Sequence, residues 1–199
     1  MGRDKALLSF DEGTLVERAL SLLEPLCEER LLCCGGRPRY ADLGVPLVLD
    51  HVSGAGPLAG LAAALERTRP DQILVVVPVD MPWLSAAVLR DVVDALVGGD
   101  EDVACARSSA GLEPLVSAWR AGTLGEVRAA LARGDRRMVA PCAGWSESGR
   151  LRLAVVEFDS SGLHRTFDNL NTPLDWHRAR MDTTGKRADD GSSRGEATR

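Results

Sequence analysis

Dense apolar runs and helical spacings alternate through the amino-terminal half of the chain. Residues 7–10, 31–34, 45–49 and 73–77 are short apolar runs bounded by turn-forming residues, and they predict strands. Leu15, Ala19, Leu22, Leu23 and Leu26 fall on one helical face, behind a capping box formed by Thr14 and Glu17. Pro57 suits the first position of a helix that runs to about residue 67. Ser85 can cap another that runs to residue 97 and stops at Gly98 and Gly99. This alternation predicts an α/β fold: a three-layer, doubly wound, mostly parallel sheet.

The pattern loosens downstream. Residues 103–106, 115–119 and 153–158 read as strands, and 122–133 as a helix closed by Gly134. Thr172, Pro173 and Asp175 form a cap signature for a last helix through about residue 180. From Met181 the chain is polar, Gly/Ser-rich and of mixed charge. One domain over 1–180 followed by a disordered polar tail over 181–199 is the expected organisation.

The run at 73–77 ends in Pro78-Val79-Asp80-Met81-Pro82. A run this dense suits a strand buried on both faces, and the two prolines stop it from continuing. Ligands of open α/β sheets bind beyond the carboxyl ends of such strands. Asp80 there either caps the following turn or holds Mg²⁺ for phosphate chemistry.

Composition narrows the partners. The formal net charge is −5, which argues against nonspecific nucleic-acid binding. No apolar stretch approaches the ~20 residues of a membrane span, and no signal peptide is visible. The five cysteines, Cys27, Cys33, Cys34, Cys105 and Cys142, include no Cys-x-x-Cys spacing. They read as reduced residues of a cytoplasmic protein, and His51, His164 and His177 lack zinc-ligand spacing.

Four other features carry candidate chemistry. Asp50 ends an apolar run as Asp80 does, so both carboxylates could face one crevice, although spacing alone favours a turn cap. Gly54 to Gly60 is a stretch of small residues entering a helix, where backbone can approach a ligand and free N–H groups can meet an anion or a base. Asn169 and Asn171 sit two apart before the last cap, which suits a polar heterocycle or equally an Asx-turn. Lys5 could reach a phosphate. The pair Arg136 and Arg137 reads better as the solvated end of the preceding helix.

In this order the motifs resemble those of the molybdenum cofactor guanylyltransferase family, nucleotidyltransferases of Rossmann-like fold. Met1-Gly-x-Asp-Lys5 is similar to the end of the family's nucleotide loop, and Asp50 to the aspartate before its substrate loop. Gly56-Pro57-Leu58-Ala59-Gly60 resembles the family's helix start, and Pro78-Val-Asp80-Met-Pro82 its metal-binding strand end. Glu113-Pro-Leu115 resembles its Pro-Leu segment, and Asn169-x-Asn171-Thr-Pro173 its pterin-side motif. The resemblance implies transfer of GMP from GTP to the terminal phosphate of molybdopterin, with release of pyrophosphate. It implies Lys5 and Asp80 as catalytic groups, and Lys5, Asp50 and Asp80 on the nucleotide. Mg²⁺ would sit at Asp80. Gly56, Pro57, Leu58, Gly60, Asn169 and Asn171 would bind the second substrate. Implied partners are GTP, molybdopterin, and molybdoenzymes or their chaperones.

One departure stands out. The family opens with a strand and a loop of the form Leu-x-Gly-Gly-x-Ser-x-Arg before the Met-Gly pair, and this sequence starts at that Met. The expectation is that the reading frame continues upstream of Met1, the alternative being a short form weak in nucleotide binding. A cytidylyltransferase of the same fold and a non-catalytic molybdopterin-binding short form are the competing functional readings.

Overall fold

The computed structural model describes residues 4–50, 54–158, 165–172 and 174–176. The proposed tail, His51, His164 and His177 lie outside them. A 3₁₀ turn at Lys5–Leu7, capped by the Asp4 carboxylate on the Ala6 N–H, leads into a hairpin of β1 (Ser9–Phe10) and β2 (Gly13–Thr14). Asp11 makes the turn in the left-handed region, at φ 51. The expected capping box is present at the start of α1 (Leu15–Leu23): Thr14 N–H donates to Glu17 Oε2 at 2.7 Å, and Glu17 N–H to Thr14 Oγ1 at 3.4 Å. The helix stops before Pro25, sooner than its apolar spacing suggests, because a proline disfavours helical geometry in the residue before it.

β3 (Leu32–Cys33) and β4 (Leu47–Val48) pair in parallel as a small sheet of their own. α2 (Pro57–Leu65) follows. A second sheet takes β5 (Ile73–Val76), β6 (Val103–Ser108), β7 (Gly111–Arg120) and β8 (Leu153–Glu157) in the order β5-β7-β6-β8. β5, β6 and β8 run in one direction, and β7 is antiparallel to both of its neighbours. α3 (Ala86–Gly98) and α4 (Leu124–Ala132) complete the elements.

Alternating side chains sort the strands between two helical layers. Leu74, Val76, Val103 and Trp119 face α2 and α4, packing with Leu58, Leu61, Leu65 and Val127. Ile73, Val75, Ala104 and Ala118 face α3, with Leu22 and Leu23 of α1 closing the same layer. This is the three-layer α/β arrangement read from the sequence. The Arg120 guanidinium joins the layers at one edge, donating to Leu96 O at 2.7 Å, Gly99 O at 2.9 Å and Glu101 O at 2.8 Å. It satisfies carbonyls left open at the end of α3.

β7 begins at Gly111, well before the expected 115, and contains Pro114. The pairing with β6 jumps from Cys105↔Ser117 to Ala106↔Glu113, so residues 114–116 bulge out of the ladder. A bulge removes the need for a proline N–H at that point.

Leu89 is fully buried in α3, whereas Val97 on the same helix is 62% exposed. Leu89→Ala is expected to cost about 2–5 kcal/mol and Val97→Ala within about 0.5 kcal/mol, read by urea unfolding. Equal effects would contradict this assignment of the helix face.

Candidate active site

The strand β5 delivers Asp80. Beyond Val76 the chain leaves the sheet through Val77, Pro78 and Val79, and the Asp80 carbonyl accepts the Leu170 N–H at 2.8 Å. Leu170 is buried against Phe10 and Leu15, with Val79, Trp83 and Trp176 packed around them. The segment carrying both asparagines is therefore pinned to the Asp80 turn by one backbone bond and one buried leucine.

Lys5 joins this assembly from the other end of the chain. Its Nζ donates to Asn171 Oδ1 at 3.0 Å. Asn171 N–H and Thr172 N–H both reach Asp175 Oδ2, at 3.2 and 2.8 Å, and Asp175 N–H returns to Thr172 Oγ1 at 3.1 Å. The cap signature is thus real, and it fixes the backbone at Asn171. The helix it opens is described only for residues 174–176. Asn169 is exposed beside it.

The turn that presents Lys5 is held by residues that sequence reasoning did not single out. Tyr40 Oη donates to Asp4 Oδ2 at 2.5 Å, and Arg39 Nη1 donates to the same oxygen at 3.1 Å. Arg39 Nη2 donates in turn to Cys34 O at 3.2 Å. Burial and the bonded Asp4 carboxylate push the Tyr40 phenol up to about 12, so it remains a donor at neutral pH. Tyr40 is the chain's single tyrosine and its φ is 69. Neither signal reveals a partner thirty-six positions away.

Asp50, Gly56, Pro57 and Gly60 gather on one cavity of about 360 Å³, shared with Pro78 and Val79 at the end of β5. The cavity thus joins Asp50 to the end of β5, while Asp80 itself is not among its lining residues. Gly56 precedes α2 with φ 68, a conformation open mainly to glycine. The Arg136 carbonyl lies 3.7 Å from where a Gly56 Cβ would stand, so the Arg136-Arg137 loop borders the start of α2. A Gly60 Cβ would lie 3.4 Å from Cys33 Cβ and 3.6 Å from Asp50 Oδ1. The small residue lets α2 approach β3 and the aspartate closely. Leu58 is fully buried in the core and contributes packing beneath this surface. Leu115, thrown out of the ladder by the β7 bulge, and Met138 complete the cavity wall.

No group of three His, Cys, Asp or Glu side chains that could hold a metal occurs among the described residues. This does not suit a zinc cage. Mg²⁺ takes one or two carboxylates and fills its remaining positions with phosphate oxygens and water, so the lone carboxylate of Asp80 is a donor of the right kind for it. All five cysteines are free. No described helix is long and apolar enough to cross a membrane.

The sequence profile of the MobA-like NTP transferase domain matches residues 1–148. A molybdenum cofactor guanylyltransferase of Rhodopseudomonas palustris is 31% identical, over 87% of this chain and 83% of its own. Among solved structures, the molybdopterin-guanine dinucleotide biosynthesis protein A of Archaeoglobus fulgidus superposes with a TM-score of 0.70 at 23% identity, covering 92% of each chain. The Mycobacterium tuberculosis protein Rv0371C, solved in complex with manganese, superposes with a TM-score of 0.61 at 21% identity, over 89% of this chain and 92% of its own.

Cys33 offers a direct probe of this geometry. Its Sγ donates to Gly60 O at 3.5 Å, and although the residue as a whole is exposed, desolvation of the thiol against α2, reinforced by the Asp50 carboxylate, pushes it up to about 11. Alkylation of Cys33 at pH 8, followed by mass spectrometry, should run roughly 100-fold slower than that of a free thiol. Asp50→Asn should accelerate it. Labelling at the rate of a solvent thiol would show that the Cys33–Asp50–Gly60 contact does not exist.

Proposed function

Because the chain belongs to the MobA-like NTP transferase family, we propose that it transfers GMP from GTP to the terminal phosphate of molybdopterin and releases pyrophosphate. The observation that carries the site assignment is the chain of contacts from Lys5 to Asn171, and through Leu170 to Asp80, beside the cavity bordered by Asp50. A cation and an amide are linked there to the Asp80 turn, and the Asp50 cavity shares Pro78 and Val79 with the approach to that turn.

The reaction brings together two anions. The attacking phosphate is already ionised near pH 7, its second pKa being about 6. No strong general base is required, so the work of the site is alignment and charge neutralisation. In this reading Lys5 spends one ammonium proton on Asn171 and keeps the others for phosphate oxygens. Asp50 contacts the nucleotide at the cavity. Asp80 holds Mg²⁺, which when bound neutralises charge along the triphosphate. The manganese complex of the mycobacterial neighbour supports a divalent ion in such a fold. Asn169 and Asn171 face the pterin, and Gly56, Pro57 and Gly60, packed over Leu58, form the opposite side of the acceptor's seat. The start of α2, which has no side-chain cap, favours an anion or a polar base edge beside it.

Pyrophosphate release from GTP with molybdopterin and Mg²⁺ should fall on the order of 100-fold or more in Asp80→Ala, with the thermal midpoint unchanged. Release that survives this substitution would remove Asp80 from the reaction. Absence of release in the wild-type chain would leave a molybdopterin-binding protein instead. A paired titration should give tighter binding for GTP than for CTP, and the reverse order would assign the chain to the cytidylyl branch.

A further inference from the structure

Asn169 is exposed, and among the described residues its side-chain amide makes no hydrogen bond. Its direction is therefore set by the backbone on either side of it. On the carboxyl side, Leu170 is buried and its N–H donates to Asp80 O at 2.8 Å. On the amino side, residues 165–168 form a turn. Asp168 N–H donates to Arg165 O at 3.0 Å, and Arg165 Nε donates to Asp168 Oδ2 at 3.4 Å. Inside that turn Thr166 is buried, and Phe167 lies against Phe158 with ring centroids 5.6 Å apart.

The guanidinium of Arg165 reaches across to Trp83. Its Cζ stands 3.7 Å from the ring centroid, against 5.4 and 5.6 Å for Arg39 over Tyr40 and Arg18 over Phe10. At that distance the cation is in van der Waals contact with the ring face, where the ring's quadrupole attracts it. Trp83 belongs to the same turn as Asp80, which Leu84 N–H closes on Met81 O at 3.2 Å. The indole is itself held. It stands perpendicular to Phe10, with centroids 5.6 Å apart, and Arg18 donates to the carbonyl of the preceding Pro82.

The asparagine segment is thus tied to the Asp80 turn at two points, the Arg165–Trp83 stack before Asn169 and the Leu170–Asp80 bond after it. The ion pair with Asp168 adds little by itself, because the two side chains are 34% and 53% exposed. It fixes the rotamer of Arg165, while the stack makes the connection to Trp83. A lysine would keep the charge but lacks the planar group that lies flat on an indole.

We propose that Arg165, stacked on Trp83, is a positioning residue for Asn169, and that it sets the affinity for the pterin acceptor without touching the acceptor itself. The proposal rests on the reading above, in which Asn169 faces molybdopterin. Loosening the stack frees the amino side of the asparagine segment, so the amide is no longer presented in one direction and binding carries the cost of ordering it. The nucleotide groups are held by other contacts. Lys5 stands on the Asp4 turn and Asp50 follows the small sheet, so GTP binding is spared.

The test reads binding and hydrogen exchange in the full chain, so it does not depend on turnover. Arg165→Gln should weaken molybdopterin binding on the order of tenfold by anaerobic calorimetry, and leave the affinity for GTP with Mg²⁺ within about twofold. Exchange of the Leu170 amide should accelerate by roughly tenfold in the same variant. Trp83→Leu should reproduce the loss of molybdopterin affinity and the faster exchange, whereas Trp83→Phe keeps a ring face and should stay within about threefold of wild type. Arg165→Lys should fall between Arg165→Gln and wild type. Should Trp83→Leu fail to fold, the two substitutions at the part-exposed Arg165 carry the test. Unchanged Leu170 exchange or unchanged molybdopterin affinity in Arg165→Gln would overturn the proposal. So would an equal loss of GTP affinity, the mark of a general structural role, or full recovery by lysine, which would assign the effect to charge alone. A wild-type chain that binds molybdopterin but releases no pyrophosphate would remove the transfer reaction and leave this comparison intact. One that binds no molybdopterin would remove both.

Discussion

The pairing of β5 with β7 sets the position of everything that matters at the site. Its register, Ile73↔Arg120 through Val76↔Ser117, fixes where the apolar run leaves the sheet and therefore where Asp80 emerges. The Asp80 carbonyl then receives the Leu170 N–H, and Leu170 is buried between Phe10 and Leu15. A one-residue slip of β5 would exchange its two faces, moving Leu74 and Val76 out of the α2 layer. It would also displace the carboxylate from the asparagine segment.

Around this point the molecule assembles charge from distant parts of the chain. Lys5 comes from the amino end, Asn171 from the carboxyl end, and Asp50 from the small sheet. None is held by neighbours in sequence alone. Lys5 depends on Asp4, and Asp4 on Tyr40 and Arg39. Asn171 depends on Asp175. Such hydrogen bonds to ionised groups are individually worth more than neutral ones. In the proposed reaction they hold flexible polar side chains in place to meet two phosphates, the kind of preorganisation that a reaction without a strong base requires.

Much of this was legible in the sequence where the cause is local. The Thr14–Glu17 capping box, the Ser85 cap and the Thr172–Asp175 cap follow from side chains reaching backbone within one turn, Pro57 at the start of α2 follows from its fixed φ, and all are present. The Asp80 strand end was readable because prolines and a carboxylate terminate an apolar run. What escaped was non-local. The strand expected from 115 in fact starts at Gly111, because the bulge opposite Cys105 and Ala106 absorbs Pro114 and re-aims Leu115 at the cavity. Tyr40 and Arg39 carried no pattern that pointed to Asp4. The runs at 31–34 and 45–49 shrink to two paired residues each, because the small sheet has a neighbour on one side only.

The central claim is that Asp80 marks where the metal–nucleotide complex sits. Paramagnetic broadening of backbone amide signals by Mn²⁺ with GTP tests it most directly. The account predicts GTP-dependent loss of the Val79, Met81 and Leu170 signals, abolished in Asp80→Ala, with Lys5 and Asn171 affected in step. Broadening centred instead on the acidic stretch Asp100 to Asp102, or unchanged by the substitution, would contradict it.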